Sequence, residues 1–288
     1  MSRIILPFLF FALLVSCQSP ETKLYSKFDA DYSALVEGRK KKLILNKDVI
    51  IVDARKRFDH TMLNIPGSIL LSWEEFTDHR SERPGLLQDD YSRMTQRLAR
   101  LGITPDTNVI VVGYGVHGRG EEGRLAWTLL YLGVKNVQVA EIHLFKKHLR
   151  QGTAQPREPV PYWKPKLLSP IRIRKAEFLE LAKSARQNKV RIIDVRSERE
   201  YLKGSTAIFG MPEITAINIE WREFYNRQGR PNLDLISKLK AIGIHFGDSI
   251  VVVSNKGIRS AAVTTALLTL GYQNVKNYDG GLVEIKNY

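Results

Sequence analysis

The sequence is almost without cysteine. Of its 288 residues only Cys17 carries a thiol, which excludes an internal disulfide, a redox-active cysteine pair and any zinc site built on thiolates. Long hydrophobic runs are missing too. The longest, Ile4 to Val15, stops well short of the roughly 20 residues that a membrane-spanning helix needs. Histidines are few, and His60, His79, His143 and His148 show no ligand spacing with carboxylates, so no metal site is expected. Acidic residues are in deficit, 30 against 44 lysines and arginines, for a formal net charge of +14. Such a balance suits anionic lipid head groups, acidic polymers or an anionic ligand, and most of it is expected to be a dispersed solvated surface.

The start of the chain gives the lone cysteine a purpose. Met1-Ser2-Arg3 brings one positive charge, the apolar stretch follows, and Leu14-Val15-Ser16-Cys17 resembles a bacterial lipobox. Residues 1–16 then read as a lipoprotein signal peptide, Cys17 as the acylated first residue of the mature chain, and 17–30 as a polar tether. The expected partner is a lipid bilayer, and the expected location is the bacterial cell envelope, on the outer membrane or facing the periplasm. Nucleic acid fits the charge but not that location.

The stretch around which the chain is organised lies near the other end. Ile250-Val251-Val252-Val253 is a β-branched run that reads as a doubly buried strand, and Ala261 to Leu270, closed by Gly271, reads as a helix. Between them Ser254, Asn255, Lys256, Gly257, Ile258 and Arg259 form a six-residue loop at a helix N-terminus, a geometry suited to anions. Strand, loop ending in arginine, Ser260-Ala261, helix, Leu270-Gly271-Tyr272 and then Tyr278-Asp279-Gly280-Gly281 resemble the active-site region of rhodanese-family sulfurtransferases. That resemblance implies an α/β protein of two rhodanese-like domains, each a parallel sheet with helices on both faces. It also implies a cysteine nucleophile where this chain has Ser254.

A duplication is visible independently. Asp53-Ala54-Arg55 after Val49 to Val52 matches Asp194-Val195-Arg196 after Val190 to Ile193. Leu101-Gly102-Ile103 matches Ile242-Gly243-Ile244, and Gly113 matches Ser254. Each pair is 141 positions apart. Helices are expected over Tyr91–Leu101, with Asp90 as its cap, and over Arg124–Leu132, with strands at Val109–Val112 and Val137–Ala140. Five prolines fall in 146–170, which reads as a linker. The domains expected are therefore 31–145 and 171–288. The resemblance further implies a substrate-holding arginine six residues after Asp194; Glu200 stands there instead, beside Arg199.

These residues direct the functional expectation. Rhodanese chemistry needs a thiolate to carry sulfur as a persulfide, and a serine hydroxyl has neither the acidity nor the sulfur. A serine-hydrolase reading lacks a base, since His245 precedes the strand and belongs at its other end. The loop is one residue too short for the phosphatase relatives of the fold. Gly113-Tyr114-Gly115-Val116-His117-Gly118 is formally a dinucleotide fingerprint, yet Glu121 and Glu122 would repel a pyrophosphate, so no cofactor is expected. That loop reads as a silent counterpart of the Ser254 loop, with His117 and Arg119 in reach of a ligand between the copies. Asp194 and Arg196 read as structural support. The expectation is a sulfurtransferase-family protein without sulfurtransferase activity, acting as an envelope scaffold or holding a small anion. The alternative is transfer of a sulfur-containing anion at the Ser254–Arg259 loop.

Overall fold

The computed structural model describes residues 49–78, 85–152, 157–183, 190–203 and 216–286. Cys17, the signal segment, the tether, His79 and the stretch from Gly204 to Pro212 lie outside the described residues. In the first copy β1 (Val49–Asp53), α1 (Arg57–Met62), β2 (Ile69–Leu70), α2 (Tyr91–Arg100), β3 (Asn108–Gly113), α3 (Glu121–Leu132) and β4 (Asn136–Glu141) follow in order. The second runs β5 (Arg172–Ile173), α4 (Lys175–Lys183), β6 (Val190–Asp194), α5 (Glu198–Lys203) and β7 (Ile217–Asn218). It continues through α6 (Leu235–Ala241), β8 (Ser249–Val253), α7 (Ile258–Thr269), β9 (Val275–Tyr278) and α8 (Gly281–Lys286).

Strand and helix alternate because β-branched runs alternate with Ala/Leu-rich segments, and the sheets come out wholly parallel. Their strand orders are β2-β1-β3-β4 and β5-β9-β8-β6-β7. The repeat is carried into the hydrogen-bond register. Asp53 pairs with Val112 and Asp194 with Val253, so the 141-residue offset holds on both strands of each central pair. It lengthens at the next strand, since Val52 faces Ile69 whereas Ile193 faces Ile217.

Side-chain alternation divides the second sheet into two faces. Ile250 and Val252 join a core that also takes in Trp127, Leu125, Trp221 and Val263, while Val251 and Val253 pack with Phe178, Tyr278 and Leu282. The first of these cores runs without interruption through both copies. At roughly 1.5–3 kcal/mol for each large apolar side chain removed from water, this shared core dominates the stability of the pair.

The copies meet where α3 lies against α7. Glycine at 123 permits the contact, because a Cβ there would fall 2.5 Å from the Cβ of Ala262. Thr265 Oγ1 donates to the carbonyl of Gly123, and the Tyr225 hydroxyl donates to that of Ala262. The proline-rich connection is tied down against the first copy. Trp163 Nε1 donates to the Ile103 carbonyl, and the N–H groups of Val160 and Leu168 donate to the carbonyls of Ala99 and Tyr131.

Local signals behave as their chemistry requires. Asp90 accepts from the Arg93 N–H at 2.9 Å and starts α2. Helix α3 begins three residues earlier than its apolar pattern suggests, because Gly120 adopts a left-handed φ of 84° at its cap and turns Glu121 and Glu122 into the first turn. Among the described residues no helix is long and apolar enough to cross a membrane.

Candidate functional site

Ser254 follows the last residue of β8 and is 1% exposed. Its Oγ lies 3.0 Å from the Ser260 Oγ and accepts from the Ser260 N–H at 3.3 Å. The start of α7 therefore directs a backbone donor at the Ser254 side chain. Its hydroxyl is paired with another hydroxyl, and His245 sits exposed before β8 begins, so among the described residues the Ser254 Oγ has no basic partner.

Gly257 turns the loop into α7 at a left-handed φ of 70°. No other residue fits, since a Cβ there would meet the Asp279 carbonyl oxygen at 2.0 Å. Beside the loop, Arg196 grips Asp194 with Nε and Nη2, at 3.0 and 2.7 Å, and both are buried. Arg55 and Asp53 repeat the arrangement in the first copy. These pairs brace the strand ends, and Arg196 Nη1 reaches on to Asn255 Oδ1 at 3.4 Å.

The loop's fixed charge already has a partner. Arg259 donates from Nη1 and Nη2 to Oε2 and Oε1 of Glu200, and Asn255 Nδ2 donates to the same carboxylate at 2.9 Å. Ser197 adds its N–H and hydroxyl. Hydrogen bonding from Arg259, ahead of all other causes, holds the Glu200 carboxyl down to about 2. The position that the resemblance reserves for a substrate-binding arginine is thus taken by a carboxylate that occupies the loop's own arginine.

From behind, the loop is enclosed by both copies. The N–H groups of Leu282 and Val283, opening α8, donate to the carbonyls of Ser254 and Asn255. Asp279, fully buried, accepts from Arg172 and from the Leu87 N–H at 2.8 Å. Gly85 of the first copy lies so close that a Cβ on it would sit 1.5 Å from the Lys256 carbonyl oxygen. Arg124 Nη2 donates to the Gly85 carbonyl at 2.6 Å, and burial lowers the Arg124 guanidinium to about 10.

In the first copy the counterpart loop holds a different group. Gly113 ends β3, and a Cβ built on it would lie 2.3 Å from Oε2 of Glu122. The Glu122 side chain fills the volume that a residue 113 side chain would need. His117 and Arg119 are both exposed. Among the described residues no cluster of histidine, cysteine and carboxylate side chains is arranged to hold a metal ion.

Comparison with family profiles matches the Rhodanese-like domain twice, over residues 38–142 and 177–288. The chain belongs to the rhodanese-like family. Among curated relatives it is similar to the sulfur carrier protein TtuD of Thermus thermophilus, 26% identical over 85% of this chain and 87% of that protein. It is also 26% identical to the 3-mercaptopyruvate sulfurtransferase of Escherichia coli, over 77% of this chain and 79% of the relative. The crystal structure of SseA from Escherichia coli, a 3-mercaptopyruvate sulfotransferase, superposes with a TM-score of 0.67 at 22% identity. It covers 82% of this chain and 93% of that one. That likeness shows the fold.

Sequence reasoning named Ser254, Asn255, Arg259, Asp194, Arg196 and Glu200, and the structure brings all six to one end of β6 and β8. It did not find Gly85, Arg172 or the contact between Gly113 and Glu122. The Asp-Gly-Gly run at 279–281 was the one available signal for the rear wall of the loop.

Proposed function

We propose that this chain is a rhodanese-like binding module that has given up persulfide chemistry and works in the cell envelope, anchored through acylated Cys17. Ser254 stands, on this reading, where the family's nucleophile belongs. The observation that carries the proposal is the pairing at the loop: the Ser254 hydroxyl is paired with that of Ser260, and Glu200 seats both oxygens on Arg259. Neither group is then poised to accept sulfur or to hold a thiosulfate. A small oxyanion would bind by exchange, displacing the Glu200 carboxylate from Arg259 and taking up its donors.

The relatives' names favour a second reading, in which the loop from Ser254 to Arg259 transfers a sulfur-containing anion. A cyanide-dependent thiosulfate assay separates the two. In that reaction a thiolate attacks the outer sulfur of thiosulfate, the S–S bond breaks and sulfite leaves with the bonding pair. Cyanide then takes the sulfur as thiocyanate. Wild type should be inactive. Ser254→Cys places a thiol beneath the Ser260 N–H at a helix N-terminus, an environment that favours the thiolate, and mass spectrometry should detect a persulfide on it. Turnover by the wild-type chain, free of contaminating enzymes, would overturn the non-catalytic reading.

A further inference from the structure

The loop of the first copy is charged in the opposite sense to that of the second. Counting back from the matching Leu-Gly helix ends, Leu132-Gly133 and Leu270-Gly271, Glu121 corresponds to Arg259 and Glu122 to Ser260. Asp59 corresponds to Glu200 at the 141-residue offset. Where the second copy has a carboxylate holding its own guanidinium, the first has carboxyl groups on both sides.

These groups line an open cavity of about 470 Å³. Gly113 and Glu122 form its floor, and Trp73 and Leu70 supply apolar wall. Glu122 is only 3% exposed, and its Oε2, turned toward Gly113, has no hydrogen-bond partner among the described residues. A buried, unsatisfied carboxyl oxygen is costly and calls for a donor. Of the cations in the lining, Arg55 is already held by Asp53 and by the Leu63 carbonyl. At the mouth Arg97 is paired with Glu75. The remaining charges of the lining, besides Glu122, are Lys56 and Arg57, both exposed, against Asp59, Glu74 and Glu121, an excess of one carboxylate.

We infer that this cavity binds a small organic cation, a guanidine or a primary amine, whose N–H groups donate to Oε2 of Glu122 beside Asp59 and Glu121. The ligand would supply from outside the charge that Arg259 supplies within the second copy. The inference is independent of what Ser254 does. Trp73 in the lining is an aromatic side chain of the kind that organic cations favour. The titratable and charged groups around Glu122 and its cavity are Glu121 on its own helix, Glu141 at the end of β4 with His143 beside it, Arg55, Lys56 and Arg57 after β1, Asp59 on α1, Glu74 and Glu75 with Arg97, Tyr114 after β3 and the buried Tyr225 hydroxyl. Burial pushes the Glu122 carboxyl up to about 8, so it is protonated near neutrality, and a cation binding to its ionised form must expel a proton.

Titration calorimetry of the purified full chain with methylguanidinium and with butylammonium tests this. Saturable binding is expected, with release of nearly one proton at pH 7 in buffers of different ionisation enthalpy. The affinity should tighten about tenfold per pH unit below about 8 and level off above it. Glu122→Gln should weaken binding at least tenfold and abolish the pH dependence. Should that variant fail to fold, a carbon NMR titration of the Glu122 carboxyl in wild type replaces it, with saturating methylguanidinium expected to bring its midpoint down by at least one pH unit. No saturation, an affinity indifferent to Glu122→Gln, an unmoved midpoint, or stronger binding of acetate with proton uptake would each overturn the inference.

Discussion

Glu200 closes both carboxylate oxygens on the guanidinium of Arg259, at 2.6 and 2.8 Å, across 59 positions of sequence. A fork-to-fork contact of this kind is strong for its exposure and specific in its geometry. It makes the loop its own anion site, already filled.

Replacing Glu200 by Gln should therefore free Arg259, and sulfate should bind the loop several-fold more tightly than in wild type by titration calorimetry. Unchanged sulfate affinity would mean that Gly85 and α8 close the loop by themselves. The same substitution should cost about 1 kcal/mol of stability near neutral pH, as expected for a partly exposed pair. Because the folded-state value is depressed, the contribution is complete above the ordinary carboxylate pKa and fades as pH falls toward about 2. Urea unfolding at pH 6 and pH 2.5 should show the penalty shrinking.

Glu122 predicts the opposite dependence. Its folded-state pKa is raised to about 8, so its contribution is fully present below the ordinary carboxylate value and is lost as pH climbs through 8. Glu122→Gln carries no charge to bury. Its stability relative to wild type should rise between pH 5 and pH 8.5 by several kcal/mol, since each tenfold difference in acidity between the folded and unfolded chain is worth about 1.4 kcal/mol. Parallel pH profiles for the two proteins would remove the buried carboxyl from the account.

Gly85→Ala tests the contact between the copies. The added methyl meets the Lys256 carbonyl oxygen, a backbone atom that cannot rotate aside. A loss of roughly 1–3 kcal/mol is expected from overpacking. Backbone amide shifts in NMR should appear at Asn255 to Gly257, far along the chain from the substitution. Shifts confined to the neighbours of residue 85 would contradict the contact.

Arg172→Met should cost more, about 3–5 kcal/mol, because it leaves the Asp279 carboxylate buried without its partner. Pairing it with Asp279→Leu should recover much of the loss in denaturant unfolding.

Much of the architecture was legible because it rests on local pattern. Val49 to Val52, Val109 to Val112 and Ile250 to Val253 are β-branched runs of the kind that a doubly covered parallel strand favours, and the 141-residue offset follows from comparing Asp53-Ala54-Arg55 with Asp194-Val195-Arg196. The short strand Arg172–Ile173 and helix Gly281–Lys286 escaped notice, being too brief to show a period. Within the site, the residue types were readable but their pairing was not. Nothing in the order of residues places Glu200 on Arg259, or Glu122 in the space of Gly113. Those contacts exist only once β6 lies beside β8 and α3 returns over β3.

Gly123 against Ala262 has a mechanical consequence. Two helices in backbone contact, pinned by Thr265 on the Gly123 carbonyl and Tyr225 on that of Ala262, leave no slack for jaw-like opening. The copies form a welded block rather than a hinge, so whatever reaches Ser254 must enter through side-chain movement at the rim of its loop.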